Sequence, residues 1–344
     1  MAGRLRLRAS SGIAAGLIAL VASACGGGSG SVPTSPGTQP PSPFPASGNL
    51  VFTVSPIDPS TIAWITPLGN LNPPDHATPT DHIYFYIANP DNGESPLARR
   101  AAFYAPANGT VTNVYGGTGQ ESKLFIRVTQ ALAYYLDHLI LDPGITVGTV
   151  LTAGQRVGVT GTAYAVDLGV VNNAVTLAGL VSPSRYTDET IHCDAPLKYF
   201  EEPLRSQLYA RVQRLGAELD GKIDLDVAGR LSGNWYSEIG GTTAVSFAYN
   251  TYDPSQVRIA VGGLIGGAAV YSVAPTDPYP RDVSVASGKV RYTLTRSRTG
   301  PPVGGTPVGQ LLVQMVDTSR VQLEITSSLA PAADFTANAR FMIR

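Results

Sequence analysis

Short runs of alternating or β-branched apolar residues recur at 50–54, 82–87, 109–114, 123–128, 156–160 and 165–171, each bounded by Gly, Pro or Asn clusters. This spacing predicts short antiparallel strands joined by turns. The pair Asn108-Gly109 reads as a hairpin-type turn. The period then changes: Leu204, Leu208, Val212 and Leu215 recur at helical spacing over 203–216, with Gly216 placed to stop the helix. Strand patterns return at 222–227, 244–249, 256–261, 268–273, 288–295, 309–316 and 320–326. Within them, Lys289-Val290-Arg291-Tyr292-Thr293-Leu294 alternates cleanly, as a half-buried strand does. An all-β chain is expected, with one antiparallel β-sandwich domain over 50–196, a connecting helical segment over 197–221, and a second antiparallel sandwich or closed barrel over 222–344.

The amino terminus follows a different pattern. Arg4, Arg6 and Arg8 precede an apolar stretch over 13–21 and the small residues Ala22, Ser23 and Ala24, the layout of a secretory signal over 1–24. The apolar stretch falls well short of the roughly 20 residues that span a bilayer. Ala22-Ser23-Ala24-Cys25 resembles the lipobox of bacterial lipoproteins, in which Leu more often stands where Ala22 does. That resemblance implies lipid on Cys25, membrane attachment through it, and export to the cell envelope. Each buried acyl CH₂ contributes about 0.8 kcal/mol, so several chains hold such a protein without a protein helix. The residue after Cys25 is Gly26; the Asp that resembles an inner-membrane retention signal is absent, which favours the outer membrane or cell surface. Residues 25–49 are mostly Gly, Ser, Pro and Thr and read as a tether, with a reach on the order of 50 to 70 Å where polyproline II prevails.

Composition narrows the function classes. With 24 Lys and Arg against 25 Asp and Glu, the chain offers no basic surface for a nucleic-acid partner. Of two cysteines, only Cys193 remains once Cys25 is acylated, so packing alone must hold the core. Neither a Gly-x-Ser-x-Gly nucleophile elbow nor a phosphate-binding glycine loop occurs. His192, Cys193 and Asp194 adjoin, yet neighbours in an extended chain point apart, so they form no thiol site.

Tyr104-Ala105-Pro106-Ala107-Asn108-Gly109-Thr110-Val111, followed by Gly148 and by Leu151-Thr152-Ala153-Gly154-Gln155-Arg156-Val157-Gly158 with Thr160-Gly161, resembles the lysostaphin-type (LytM) zinc endopeptidase domain. The resemblance covers roughly 67–171 and implies a LytM-like β domain. In that family a His, an Asp and a second His hold zinc, and one or two further His assist. Zinc with an open position lowers the pKa of bound water to around 7 and polarises the scissile carbonyl. His138, within Tyr135-Leu136-Asp137-His138-Leu139, falls at the family's catalytic histidine, and His76 and His82 are candidates for the first ligand. The family's His-x-x-x-Asp is broken, because Tyr86 stands at the Asp position after His82 and Thr80 after His76. At the terminal His-x-His strand, Asp167 stands where the ligand His belongs and Ala165 replaces its neighbour.

These departures point to a non-catalytic module with no cofactor, binding peptidoglycan or a cell-wall hydrolase as degenerate members of the family do. The alternative is a zinc metallohydrolase with an altered set of His82 or His76, His138 and Asp167, since zinc accepts both imidazole and carboxylate. Separately, Gly233-Asn234-Trp235 resembles the Gly-x-Trp start of the lipocalin barrel, which implies a calycin-like second domain with Trp235 packed across its base. A small apolar ligand inside such a barrel is a further alternative.

Overall fold

The computed structural model of the protein describes residues 42–117, 119–239, 243–263, 267–297, 305–331 and 334–344. The signal over 1–24 and Cys25 lie outside the described residues, as does the tether up to residue 41; residues 42–49 carry no helix or strand. No helix among the described residues is long and apolar enough to cross a membrane.

Ten strands build the first sheet: β1 (Trp64–Thr66), β2 (Ile83–Tyr86), β3 (Ala102–Tyr104), β4 (Gly109–Tyr115), β5 (Ser122–Arg127), β6 (Leu132–Leu141), β7 (Val150–Leu151), β8 (Arg156–Thr160), β9 (Ala165–Asn172) and β10 (Cys193–Asp194). The main order is β1-β2-β9-β6-β5-β4-β7, with β10 beside β9 and β3 reaching β6 through β8. β6 and β9 are therefore central, and β9 is buried at all but its last residue. Its near-continuous apolar run, interrupted by Asp167, is what a strand covered on both faces requires. The core beneath it includes Phe52, Phe85, Phe103, Tyr134 and Phe200.

The expected helix forms, but as α2 (Leu204–Tyr209) rather than over 203–216; α1 (Asp188–Ile191) is a single turn. Past Tyr209 the edge of β1 takes over: the Ile65 N–H donates to Arg211 and the Gln213 N–H to Ile65. An unpaired sheet edge thus outcompetes a marginal helix for the same backbone groups.

Three other expectations change. Residues 50–54 form no strand, since Phe52 donates to Tyr199 while Thr53 donates to Pro106, a change of partner that permits only a single bridge to Phe200. Residues 222–227 form no strand: their backbone N–H groups go to scattered partners, Leu225 to Ile223, Asp226 to Gly179 and Val227 to Ser232, while the Asp224 and Asp226 carboxylates accept from the backbone of Gly179, Val181 and Asn234. Asn108-Gly109 is not a hairpin turn: β3 pairs with β8 and β4 with β5 and β7, while the Asn108 amide oxygen accepts from the Ala153 N–H.

The second sheet closes on itself as an eight-stranded antiparallel barrel: β11 (Gly233–Ser237), β12 (Ala244–Tyr249), β13 (Val257–Gly263), β14 (Gly267–Val273), β15 (Lys289–Ser297), β16 (Gly309–Met315), β17 (Arg320–Thr326) and β18 (Arg340–Ile343). Closure comes from Tyr236 pairing with Ile343. Inward residues fill the interior, among them Trp235, Phe247, Ile259, Tyr292, Leu294, Val313 and Leu323. These inward side chains form the core of the barrel. Trp235 donates its indole N–H to Leu231, and the Arg344 guanidinium lies 4.0 Å from the indole ring centre. Arg344 also donates to the carbonyls of Val227, Arg230 and Ser232, tying the last strand to the entry of the first.

Candidate functional site

Strand alternation sets the site. Residues two apart share a face, so His82, at the threshold of β2, and Tyr84 and Tyr86 within it form one row. Across the ladder, Tyr84 lies opposite Asp167 on β9 and Tyr86 opposite Ala165. Asp167 in turn lies opposite Asp137 on β6.

His138 follows Asp137 and would point to the other face of a regular strand. It does not, because β6 bulges there: Ser122 pairs with Leu139 but Leu124 with Leu136, and His138 has a φ of 64°. A non-glycine residue in the left-handed region is uncommon, and bulges re-aim side chains beside sites. The turn is held by the His138 N–H on the Asp137 carboxylate at 2.7 Å and by the Gly161 N–H on the His138 carbonyl at 2.9 Å. Beyond this point β6 exchanges β9 for β8 as its neighbour.

The outcome is a chain of charges centred on Asp167. One of its oxygens lies 3.3 Å from His82 Nε2 and 3.4 Å from His138 Nε2, while the other is buried with no hydrogen-bond partner. His138 Nδ1 is 3.0 Å from Glu121, which also accepts from the Thr162 hydroxyl and N–H. His82 Nδ1 is 3.1 Å from Asp81, and its Nε2 is 3.0 Å from the Tyr84 hydroxyl. Asp81 accepts from Tyr135 at 2.7 Å and from Thr190 at 2.6 Å. His76 stands apart, its ring packed edge-on to His82 with centroids 5.3 Å apart. His192 contacts the Val175 carbonyl and Cys193 the Asp81 carbonyl, so the two form no catalytic pair.

Protonation follows from these contacts. Burial disfavours a charged His138, but Asp167, Glu121 and Asp137 outweigh it and raise its pKa to about 10. Burial likewise opposes the charge on His82, yet Asp167 and Asp81 raise its pKa. His76 is pushed down by burial and by the charge on His82. Glu121 pays a burial cost that hydrogen bonds from Thr162, then His138, overcome, leaving it at about 2. Burial raises Asp137. Tyr86, at the position of the family's acidic ligand, is raised to about 12 by burial and Asp167, so it is a neutral phenol stacked on Trp64 at 4.3 Å.

Zinc fits this arrangement poorly. A ligand imidazole must be neutral with a free lone pair, whereas the two ring nitrogens of His138 lie 3.0 Å from Glu121 and 3.4 Å from Asp167 and His82 Nε2 already meets Tyr84. Among the described residues, no group of three or more His, Cys, Asp or Glu is arranged to hold a metal ion. Sequence reasoning singled out His82, His138 and Asp167, which the structure brings together, and His76, which it leaves at the margin. It missed Asp81, Tyr84, Glu121 and Tyr135. Tyr84 was within reach of the two-residue period from His82; Glu121 carried no local signal.

No family model matches this sequence, and no curated protein matches it. Among solved structures, the chain is similar to Csd3 of Helicobacter pylori at 15% identity, over 44% of this chain and 35% of that one, with a TM-score of 0.30. It is similar to the SpoIIQ-SpoIIIAH pore forming complex at 11% identity, over 46% of this chain and 96% of that one, with a TM-score of 0.31. It is also similar to lysostaphin at 11% identity, over 77% and 80% of the two chains, with a TM-score of 0.24. The chain thus spans about a third of the length of Csd3. At such scores these likenesses carry no functional weight, and the reading below rests on this chain's own residues.

Proposed function

We propose that this protein is an envelope lipoprotein, held through lipid on Cys25, whose first β domain is a non-catalytic LytM-like module acting by binding at the cell wall. The observation that carries this reading is the closed ion-pair chain Asp81–His82–Asp167–His138–Glu121. A zinc hydrolase needs neutral donors converging on one point with an open position for water. Here each donor is spent on another side chain, and the remaining positions of the family's pattern hold Tyr86 and Ala165. The network then serves as a rigid, charged floor beside a cavity of about 270 Å³ lined by His76, Asp81, His82, Lys123, Tyr135 and Glu189.

Peptidoglycan or a cell-wall hydrolase is the partner class, by analogy with the family the motifs resemble. The tether over 25–49 supports this, since it lets a lipid-held domain reach material far from the membrane.

Metal analysis of the purified mature protein tests the reading. The expected result is less than one tenth of an equivalent of zinc after exchange into zinc-containing buffer and desalting. Stoichiometric zinc that disappears in the His138→Ala, Asp167→Ala double variant would overturn it in favour of a hydrolase with an altered ligand set. Co-sedimentation with purified peptidoglycan sacculi, and its absence with cellulose, is the expected binding result.

A further inference from the structure

Alternation on the barrel places a guanidinium on the outer wall, where it is nonetheless almost fully buried. Val257, Ile259 and Val261 point into the barrel, so Arg258 and Ala260 point out. Arg258 lies opposite Ser272 on β14, and Ser272 opposite Thr295 on β15. Three neighbouring strands therefore set one polar row on the outer wall, which Thr293 extends along β15.

This row lines a cavity of about 620 Å³, to whose wall Gln256, Pro275 and Tyr279 also contribute. That volume suits a small-molecule site. Arg258 is only 2% exposed, and its Nε has no hydrogen-bond partner. Its terminal nitrogens donate to the Val257 carbonyl at 3.1 Å and the Gln256 side-chain oxygen at 3.0 Å. Among the described residues, no carboxylate lies within salt-bridge distance of it. The nearest compensating charge, Asp253, is one side chain removed, accepting from Gln256 at 2.8 Å. Asp277 also lines the cavity, but one of its oxygens accepts from both the Ala274 and the Thr293 N–H.

A buried guanidinium without a direct counter-ion is costly, and a planar fork of donors matches an oxyanion. Around it the lining is rich in hydroxyls: Ser272 makes one long contact at 3.4 Å, and the Thr293 and Thr295 hydroxyls make none among the described residues. We propose that this outer-wall cavity binds a small carboxylated polyol of the sugar-acid class, with the carboxylate on Arg258 and the hydroxyls on Ser272, Thr293 and Thr295. The site is independent of the histidine network.

Isothermal titration of the full chain with glucuronate, glucose and acetate tests this. Glucuronate is expected to bind at least tenfold more tightly than either glucose or acetate, and to weaken as salt rises. Thr295→Val, an outward substitution that spares the guanidinium, should weaken glucuronate at least threefold, and Arg258→Met should abolish binding. If Arg258→Met fails to fold, the Thr295→Val and Ser272→Ala pair decides. Equal affinity for all three probes, no glucuronate binding at millimolar concentration, or binding unchanged in that pair would overturn the proposal.

Discussion

Replacing Asp167 by Asn removes the shared charge from the histidine network while keeping the side-chain shape. In the folded protein His138 has a pKa of about 10, against 6.5 for the free side chain. At face value that rise corresponds to ~5 kcal/mol of differential interaction. The His138 side chain is 35% exposed, so solvent screens much of it and about 1–2 kcal/mol is the working figure. The sign follows from linkage: a raised histidine pKa stabilises the fold fully below about 6.5, and that contribution is lost as pH climbs through about 10. His82, raised by the same carboxylate, adds in the same direction. Urea unfolding at about pH 6 and about pH 9.5 reads the difference through linear extrapolation. The wild-type protein should lose at least about 1 kcal/mol more between those pH values than Asp167→Asn does. Parallel pH profiles for the two proteins would refute the claim that Asp167 holds charged imidazoles.

Three further outcomes are expected. A Cβ at Gly169 would run into the Tyr135 ring, so Gly169→Ala should cost about 1–3 kcal/mol and loosen the Tyr135 contact to Asp81; an unchanged melting temperature would contradict this packing. Arg344→Ala removes the stack on Trp235 and three carbonyl contacts, so a loss of about 2–3 kcal/mol with greater solvent exposure of Trp235 is expected, and quenching experiments that show neither would count against the barrel closure. Cys25→Ala should move the protein from the membrane to the soluble fraction; membrane retention with normal processing would remove the basis for the lipid anchor.

Apolar periodicity located most strands because a residue's burial is set by the face on which alternation puts it. The 289–294 run shows this directly: Tyr292 and Leu294 are buried, while Lys289 and Arg291 are exposed. The strands that escaped notice include short ones such as β1 and β10, whose stability comes from neighbours, but also the ten-residue β6, where an uneven burial pattern and the bulge at His138 break the alternation that periodicity reads. Tertiary partners likewise ended α2 early, at the edge of β1, and left 222–227 without a ladder. At the site, motif spacing identified His82, His138 and Asp167, since each lies within or beside a recognisable run. Glu121 escaped because it reaches His138 across 17 residues through a bulge that no local signal announces.

By itself, then, the sequence determined the all-β class, the helical turn at 204–209 between two β regions, and the residues worth watching. Only the tertiary structure decided that the second sheet closes around a packed core, that β6 bulges to turn His138 toward Asp167, and that Arg258 faces a hydroxyl-lined cavity. The physical reason is range. Alternation and turn chemistry act over a few residues, whereas register, bulges and charge pairing are settled between strands far apart in the chain, through hydrogen bonds that exist only once those strands have met.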